Sequence, residues 1–565
     1  MQAGGFSQAY PKGEGTRQSG TSVLNQAAPD QELAARAWSL SLAVIRHLLL
    51  LLSLGALAPA QPIVATAQYD DQRTGANLRE TVLTPRNVNQ KRFGKLLHLA
   101  VDGDVYAQPL FVPRLAMAGK GVHNVVFIAT EHDSVYAFDA AGQPAVPLWH
   151  ASFVNGAAGV LPVGERDTHC PFIAPEIGIT STPAIDPAAA VIYVLARTAE
   201  RGSDGEVRYY QRLHALDLAS GTEKPGSPVV IRAAVTASTF FGLLSKEVRF
   251  HALVENPRAA LLLAGGNVYL SFGSACDDGP YYGWVLAYDA RTLKPTGVFN
   301  TAPDAGESGI WQSDAGIAAD RAGAVYAVTG NGKFDAASGG RDYGDSVLKL
   351  GIRNGALGVR DYFTPFDEAR LNSGDVDLGS SGPVLLPDQS GPHPHLLVTA
   401  GKAGLVYLID RDRMGGFHAG ANSHAVQTIQ AGTGAFGAPA YWNGRLYYAN
   451  RKDTLVELAV ENGRLVPAHR GARQFDHPGA IPSVSADGDK DGIVWLVEAK
   501  GPNRAGFDSD GILRAFDALD VSRELFSAVL GPSVRFTMPT VADGRVYIGA
   551  RRVVYVYGLR DGPAR

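Results

Sequence analysis

A polar loop within residues 329–350, TGNGKFDAASGGRDYGDSVLKL, is the first place in this sequence where side chains could do chemistry. A strand pattern runs into Gly330-Asn331-Gly332 and resumes at Ser346. Hairpins usually turn in about two to five residues, and this loop spends about a dozen, with an Asn and several Asp among them. A long polar loop on a rigid scaffold indicates a binding surface, so the other loops on its side of the fold matter.

Other familiar catalytic patterns are missing from the sequence. It has no G-x-S-x-G element, phosphate-binding loop or zinc-ligand spacing, and no C-x-x-C-H motif for covalent haem. Four histidines lie in predicted loops without metal-ligand spacing, and we interpret them as polar surface groups: His169, His393, His395 and His477.

The composition excludes some partners. The 565 residues are 45% apolar and 19% charged, which is ordinary for a globular protein. The 51 basic and 55 acidic residues give a net charge of −4, and no long basic run occurs. We therefore expect neither nucleic acid nor an anionic membrane surface as a partner.

Residues 36–60 have the pattern of a secretory signal peptide. Arg36 and Arg46 precede an apolar stretch at 48–57, and Ala58-Pro59-Ala60 is a small-x-small cleavage pattern. The apolar stretch is short for a membrane span. We expect export to the periplasm or the medium, no membrane span in the mature chain, and a disordered polar extension over 1–35.

One structural unit recurs after residue 92. It contains a strand of small residues such as STPAID (181–186), a strand such as VIYVLA (191–196), and a strand that ends in an Ala-Leu-Asp-like turn. Alternating β-branched and aromatic residues bounded by Gly and Asp are typical of strands. The strand with the turn occurs eight times, at 134–142, 213–221, 284–292, 346–355, 405–413, 454–463, 512–520 and 553–562.

These repeats predict an all-β fold: an eight-bladed β-propeller of four-stranded antiparallel blades over residues 93–558. We label the strands of each blade A to D, from inner to outer. The last copy ends near Gly558 without an outer strand, and FGKLLHLAV (93–101) is a spare strand that would complete blade 8 and close the ring. Residues 61–92 are then a lead-in segment and 559–565 a tail.

The unit resembles the PQQ-type repeat of the quinoprotein alcohol dehydrogenase superfamily. The resemblance rests on GITSTPAID (178–186), YAFDAAG (136–142) and ALDLASG (215–221). Cofactor-free scaffold proteins use the same repeat. We interpret the Asp of the turns as structural caps: Asp139, Asp217, Asp289 and Asp517.

Long loops cluster at one end of the predicted ring. In a four-stranded blade the B–C and D–A connections emerge together, and the opposite connections here are mostly short. The long B–C connections are at 197–210, 273–283, 330–345 and 500–511, and the long D–A connections at 154–179, 236–258, 366–380 and 471–479. This face is the predicted binding face.

A closer similarity concerns this face. In the quinoprotein dehydrogenases a Trp under the cofactor precedes a Gly-Asn loop, and an Asp-containing loop and a Lys follow. The same order occurs here in GIWQSDAGIAAD (309–320), YAVTGNGKFD (326–335), NSGDVDLGSS (372–381) and TAGKAG (399–404). The resemblance implies that Trp311, Asn331 and Lys402 contact PQQ and that Asp375 or Asp377 is the catalytic base.

The resemblance also implies a calcium site and a reaction. Its ligands would be Glu206, Asn331 and Asp375, since Ca²⁺ prefers oxygen ligands. The expected function is oxidation of a small alcohol or sugar by hydride transfer to a calcium-bound quinone. A separate protein would accept the electrons, because the chain has no haem motif.

The family's adjacent cysteine pair is absent. The only cysteines are Cys170, in the connection leading into blade 2, and Cys276, in the B–C loop of blade 3. These loops lie on the same face of neighbouring blades, so an exported chain could form one disulfide there or keep two free thiols.

Each candidate residue also has a structural interpretation. Trp311 could pack in the core, Gly-Asn-Gly could be a simple turn, and Lys402, Glu206 and the two Asp residues could be solvated loop residues. The alternative function is therefore a cofactor-free propeller that acts as a binding or assembly scaffold outside the cytoplasm.

Overall fold

The computed structural model describes residues 62–142, 144–239, 244–277, 279–312, 315–499 and 509–560. The predicted extension at 1–35 and signal peptide at 36–60 fall outside these ranges, as do the last five residues of the predicted tail. Within the described ranges, no helix has the length and apolar character to cross a membrane.

Eight mainly four-stranded antiparallel sheets form the blades of a propeller, which confirms the predicted fold class. Two strands precede blade 1, β1 (Ala76–Asn77) and β2 (Phe93–Ala100). Blade 1 contains β3 (Leu110–Met117), β4 (Gly121–Thr130), β5 (Ser134–Asp139) and β6 (Pro147–Ser152). Before blade 2 come β7 (Val160–Gly164) and β8 (Glu176–Ile177). Blade 2 contains β9 (Ala184–Asp186), β10 (Val191–Arg201), β11 (Val207–Asp217) and β12 (Val229–Val230).

A separate hairpin, β13 (Ala234–Thr239) and β14 (Leu244–Arg249), leads to β15 (Glu255–Asn256). Blade 3 contains β16 (Leu262–Ala264), β17 (Asn267–Ser274), β18 (Trp284–Asp289) and β19 (Pro295–Asn300). Blade 4 contains β20 (Ala318–Ala319), β21 (Val325–Val328), β22 (Val347–Arg353) and β23 (Ala356–Thr364). Blade 5 contains β24 (Val384–Leu385), β25 (Leu396–Ala400), β26 (Leu405–Asp410) and β28 (Gln427–Gln430), and the intervening β27 (Gly416–Phe417) pairs with β23.

Blade 6 contains β29 (Ala440–Trp442), β30 (Arg445–Ala449), β31 (Thr454–Glu461) and β32 (Arg464–Gln474). Blade 7 contains β33 (Ser483–Asp487), β34 (Lys490–Ala499), β35 (Asp510–Asp517) and β36 (Asp520–Pro532). The last strands are β37 (Thr540–Ala542), β38 (Arg545–Ala550) and β39 (Val553–Leu559). Two short α-helices, Glu165–Thr168 and Glu368–Ser373, and three 3-10 turns, Gly156–Ala158, Ala336–Ser338 and Leu378–Ser380, lie in the connections.

The Ala-Leu-Asp-like turns are capped as predicted. Asp217 Oδ1 accepts hydrogen bonds from the N–H groups of Ala219 and Ser220, each at 3.0 Å. Asp289 does the same for Arg291 and Thr292, at 3.1 and 2.8 Å. These aspartates stabilise turns and are not available for catalysis.

The ring closes through the N-terminal strand, as predicted. Strand β2 pairs antiparallel with β39, from Phe93 opposite Leu559 to Ala100 opposite Val553, and so supplies the outer strand of blade 8. Phe93 is fully buried and its ring lies 5.4 Å from Trp495 of blade 7 and 4.9 Å from Phe526. The N-terminal strand β2 and the last strand, β39, are therefore held in one sheet.

The lead-in segment has a second role that the sequence did not predict. Its backbone between residues 64 and 75 crosses the centre of the ring and bonds to the inner strands, for example from Val64 N to Phe111 O and from Val484 N to Gly75 O. Arg73 is fully buried and donates to the carbonyls of Ala67, Leu261 and Ile317. The chain's own backbone thus fills the centre of the propeller at this level.

Candidate functional site

A cavity of about 710 Å³ opens on the face where the long connections meet. Trp311, Asp375, Asp377 and Lys402 all line it. They come from the connection into blade 4, the connection into blade 5 and the B–C turn of blade 5. The sorting of loops by face therefore located the cavity correctly.

Three glycines fix the indole of Trp311. A Cβ atom at Gly273, Gly309 or Gly330 would lie 3.1, 3.2 or 2.8 Å from indole atoms, so the ring lies directly against the backbone there. The flanking chain is held by hydrogen bonds from Ile310 N to Phe272 O, at 3.0 Å, and from Gly330 N to Gly309 O, at 2.8 Å. Trp311 is thus a rigid aromatic surface in the cavity wall, and only partly buried.

The acidic residues and the lysine form one hydrogen-bonded cluster beside the indole. Lys402 Nζ lies 2.5 Å from Asp377 Oδ2 and 2.7 Å from Asp375 Oδ1. Asn331 donates its backbone N–H to Asp377 Oδ1, at 2.8 Å, and its side-chain N–H to Asp375 Oδ1, at 3.0 Å. The structure therefore brings together Asn331, Asp375, Asp377 and Lys402.

The two aspartates differ in their surroundings. Asp377 is 9% exposed, and each of its two oxygens has a donor, Asn331 N–H or Lys402. Asp375 is 77% exposed and uses Oδ1 alone in the contacts with Lys402 and Asn331. Asp375 therefore keeps one oxygen for a ligand, and Asp377 holds the loop in place.

The long loop at 330–345 divides into two parts. Its ends form the site: Asp345 Oδ1 accepts from Leu378 N at 2.9 Å and so ties this loop to the aspartate loop. Its middle is a small folded turn in which Lys333 pairs with Asp335 and Asp342 at 2.8 and 3.5 Å. Most of the length of this loop therefore stabilises the loop itself. Asn331 is connected to the cavity lining through its hydrogen bonds to Asp375 and Asp377.

The cluster contains one basic and two acidic side chains. Burial lowers the pKa of Lys402, but the carboxylates of Asp377 and Asp375 outweigh this effect and raise the pKa above its usual value. Burial raises the pKa of Asp277 on the neighbouring loop, and the negative charge of Asp377 adds to the effect. Lys402 therefore carries a positive charge at neutral pH between two carboxylates.

The two cysteines form a disulfide, which confirms that pairing. The Cα atoms of Cys170 and Cys276 are 5.4 Å apart, and both residues line the cavity. The bond joins the connection into blade 2 to the B–C loop of blade 3, so it fixes one side of the cavity mouth.

Of the three predicted calcium ligands, Asn331 and Asp375 meet and Glu206 lies apart from them. Strands β10 and β11 stay paired as far as Arg201 and Val207, so the predicted loop at 197–210 is a long hairpin. Glu206 lies at its exposed tip and does not line the cavity. The described residues contain no group of three or more His, Cys, Asp or Glu residues able to hold a metal ion.

Four basic residues that line the cavity were missed by the sequence interpretation. They are Arg258, Arg451, Lys452 and Arg535, and we name this set the basic wall. All four lie on D–A connections or a B–C turn, at the predicted binding face. Sorting the basic residues by connection, as was done for loop length, could have found them.

His477 is a correction to the interpretation of the histidines. It lines the cavity and is half-buried. Burial lowers its pKa to about 4, and the positive charges of Arg535 and Arg451 add to the effect. His393 and His395 are surface residues as predicted, each bonded to an aspartate at 2.7 Å, and His169 is exposed.

Comparison of the fold with solved structures gives quinoprotein dehydrogenases of similar fold. The quinohemoprotein alcohol dehydrogenase of Comamonas testosteroni is similar, with a TM-score of 0.56, 16% identity and coverage of 89% of this chain and 81% of that chain. Quinohemoprotein alcohol dehydrogenase ADHIIG of Pseudomonas putida HK5 gives a TM-score of 0.56, 14% identity and coverage of 89% and 81%. A europium-containing methanol dehydrogenase gives a TM-score of 0.54 and 14% identity, with coverage of 88% of this chain and 98% of that chain.

No protein-family model matches the sequence, and no curated protein matches it. The chain has the eight-bladed propeller fold of the quinoprotein dehydrogenases. At these identities the similarity shows the fold alone, and the function has to be argued from the cavity.

Proposed function

We propose that this protein is an exported quinoprotein-type dehydrogenase that binds PQQ over Trp311 and oxidises an alcohol or sugar. One observation carries the proposal. A rigid indole surface, an ion-paired lysine and an accessible carboxylate lie side by side in the wall of a cavity of about 710 Å³. Ligand pockets typically measure about 300–1,000 Å³.

The residues of the cavity fit PQQ, which is a flat tricyclic quinone with carboxylate groups. Trp311 offers an aromatic surface against which a flat ring can stack. Lys402 offers an ammonium group for an anionic or carbonyl oxygen of the cofactor. Asn331 contributes by holding Asp375 and Asp377 in position.

The same residues do not fit a calcium ion. Ca²⁺ takes about six to eight oxygen ligands, and Glu206 lies on an exposed hairpin tip outside the cavity. The ammonium of Lys402 already lies between the carboxylates that a cation would need, at 2.5 and 2.7 Å. We therefore assign no calcium site and no step of the reaction to a metal.

The chain's own residues account for the handling of the proton. PQQ, when bound, supplies the acceptor for the hydride that leaves the alcohol carbon. Asp375 is the proposed base, since its Oδ2 remains for the substrate hydroxyl proton while Oδ1 is held by Lys402. Lys402 orients the carboxylate through its contact with Oδ1. Asp377 is a positioning residue because it anchors Lys402 and Asn331.

Two features support export. The disulfide between Cys170 and Cys276 is of a kind that persists in oxidising compartments. The pattern at 36–60 is that of a signal peptide. A separate electron acceptor outside the cytoplasm completes the proposal, since the sequence has no haem-binding motif.

A dye-linked assay tests the proposal. Purified protein loaded with PQQ should reduce an artificial electron acceptor when an alcohol or sugar is added. Trp311→Ala should lose cofactor binding, and Trp149→Ala, which alters an indole buried between blades 1 and 2, should bind PQQ normally if it folds. If wild-type protein neither binds PQQ nor reduces the dye, the dehydrogenase assignment is wrong and the scaffold alternative remains.

A further inference from the structure

The basic wall lines the same cavity as Trp311 and Asp375. Arg258 comes from the connection into blade 3, Arg451 and Lys452 from the B–C turn of blade 6, and Arg535 from the connection into blade 8. Trp311 and the acidic cluster belong to the connections of blades 4 and 5. The cavity therefore contains a set of basic side chains besides the residues of the proposed chemistry.

The arginines are held by aromatic rings that also line the cavity. Arg258 lies over Phe536 at 4.6 Å from the ring centroid, Arg535 over Phe172 at 5.1 Å, and Arg451 over Phe436 at 5.4 Å. A guanidinium group stacked on a ring still has its N–H edge available for a bidentate contact with a carboxylate. The stacking thus orients the donors before any ligand arrives.

Three side chains of the basic wall have no ion-pair partner among the residues that the structure describes. In the part of the chain that the structure describes, Arg451, Lys452 and Arg535 have no carboxylate oxygen within the 4.0 Å of an ion pair. Burial lowers the pKa of Arg535, and the charge of Arg258 adds to the effect. Several positive charges that face one cavity without partners favour an anionic ligand.

The neighbours of the wall are consistent with this interpretation. His477 lies among these cations and is neutral at pH 7, since burial and the surrounding positive charges lower its pKa to about 4. Asp476, which precedes His477, is an acidic residue that also lines the cavity. Phe172 is 46% exposed, so part of an aromatic ring borders the cavity mouth. A small ligand with one anionic end and one hydroxylated end would match the basic wall and the accessible carboxylate of Asp375.

We infer that the basic wall binds the carboxylate of the substrate, and that the substrates are hydroxy acids or sugar acids rather than neutral alcohols. The inference rests on the proposed function. The carboxylate would be held by Arg451 and Arg535, and the hydroxyl group at the other end would reach Asp375. The oxidation itself stays as proposed above, with the hydride going to the quinone and the proton to Asp375.

Calorimetric titration of PQQ-free protein tests the inference with matched pairs of ligands. Gluconate is compared with glucose, and glycerate with glycerol, at low ionic strength. We expect each acid to bind at least tenfold more tightly than its neutral partner. Arg451→Ala and Arg535→Ala should each weaken gluconate binding about tenfold and leave glucose binding unchanged. The exposed Arg353 lies at a hairpin tip between strands C and D, so Arg353→Ala is the matched control.

Three results would overturn the inference. The first is equal affinity for each acid and its neutral partner, and the second is gluconate binding in the wall variants as tight as in wild type. The third is competition between PQQ and gluconate, which would show that the basic wall binds the cofactor's own carboxylates. The proposed function fails separately: gluconate binding that depends on the wall, in a protein that does not bind PQQ, would show an anion site without a quinone. Circular dichroism of each variant establishes that it is folded.

Discussion

Alanine at Gly330 should disturb the proposed cofactor surface and little else. The added Cβ would lie 2.4 Å from Asp377 Oδ1 and 2.8 Å from Cδ1 and Nε1 of Trp311, closer than real Cβ contacts allow. The backbone at Gly330 has an ordinary φ angle, so strain comes only from these contacts. Either the indole or the carboxylate must move.

The size of the effect follows from these contacts. Overpacking of this kind costs about 1–3 kcal/mol of folding stability. Aromatic stacking contributes about 0.5–1.5 kcal/mol beyond buried area, so a displaced indole should weaken PQQ binding about 3- to 10-fold. Urea denaturation measures the first quantity and calorimetric titration of PQQ the second.

Gly358→Ala is the matched control. Gly358 lies in β23, has no heavy atom within 4 Å of an added Cβ, and also has an ordinary φ angle. Its stability should change by about 0.5 kcal/mol or less. If Gly330→Ala binds PQQ as wild type does while losing stability, either Asp377 alone has moved or the indole is not the cofactor surface. Trp311→Ala separates the two cases, since unchanged PQQ binding in that variant refutes the assignment of Trp311.

Three further predictions concern the base, the ring closure and pH. Asp375→Asn should lower kcat by about 10²–10⁴-fold and keep PQQ bound. Asp377→Asn should mainly lower folding stability. If steady-state kinetics show the larger loss of kcat in Asp377→Asn, Asp377 is the base and Asp375 the positioning residue. Phe93→Ala should cost about 3–5 kcal/mol in urea denaturation because it removes a buried ring between blades 7 and 8. Leu96→Ala, on the same strand but 38% exposed, should cost about 1 kcal/mol or less; equal losses would contradict the closure argument. Burial raises the pKa of Glu131 from 4.5 to about 8. Between these pH values the folded protein keeps a proton that the unfolded chain releases, so folding stability should fall as pH rises. Glu131→Gln should flatten this slope in thermal melts from pH 5 to pH 8, while exposed Glu247→Gln should not; an unchanged slope in Glu131→Gln would show that another group causes it.

Much of the fold follows from sequence because it repeats. Eight copies of one strand pattern with an Asp-capped turn leave few alternatives to a closed ring, and the missing outer strand of blade 8 points directly to residues 93–101. The central segment was not predictable in this way. Residues 64–75 bond to the inner strands through backbone groups, which leave no side-chain pattern, and Arg73 in particular looks like an ordinary surface residue in the sequence.

The site was predicted where its residues lie on connections of neighbouring blades at one face. Asn331, Asp375, Asp377 and Lys402 all belong to such connections of blades 4 and 5, so the order of the blades along the chain brings them close. Glu206 does not join these residues, because strands β10 and β11 continue past the blade as a hairpin and place Glu206 at its tip, away from the cavity. The basic wall was missed because its members lie far apart in sequence, on blades 3, 6 and 8, and only closure of the ring brings them together.

The most direct test of the central claim is a calorimetric titration of PQQ into the purified protein in EDTA. The account predicts saturable, one-to-one binding that persists without divalent cations, because Lys402 supplies the positive charge at the carboxylates. It also predicts that Trp311→Ala abolishes this binding. If PQQ shows saturable binding neither in EDTA nor with added Ca²⁺, the claim that this cavity is a quinone site is contradicted.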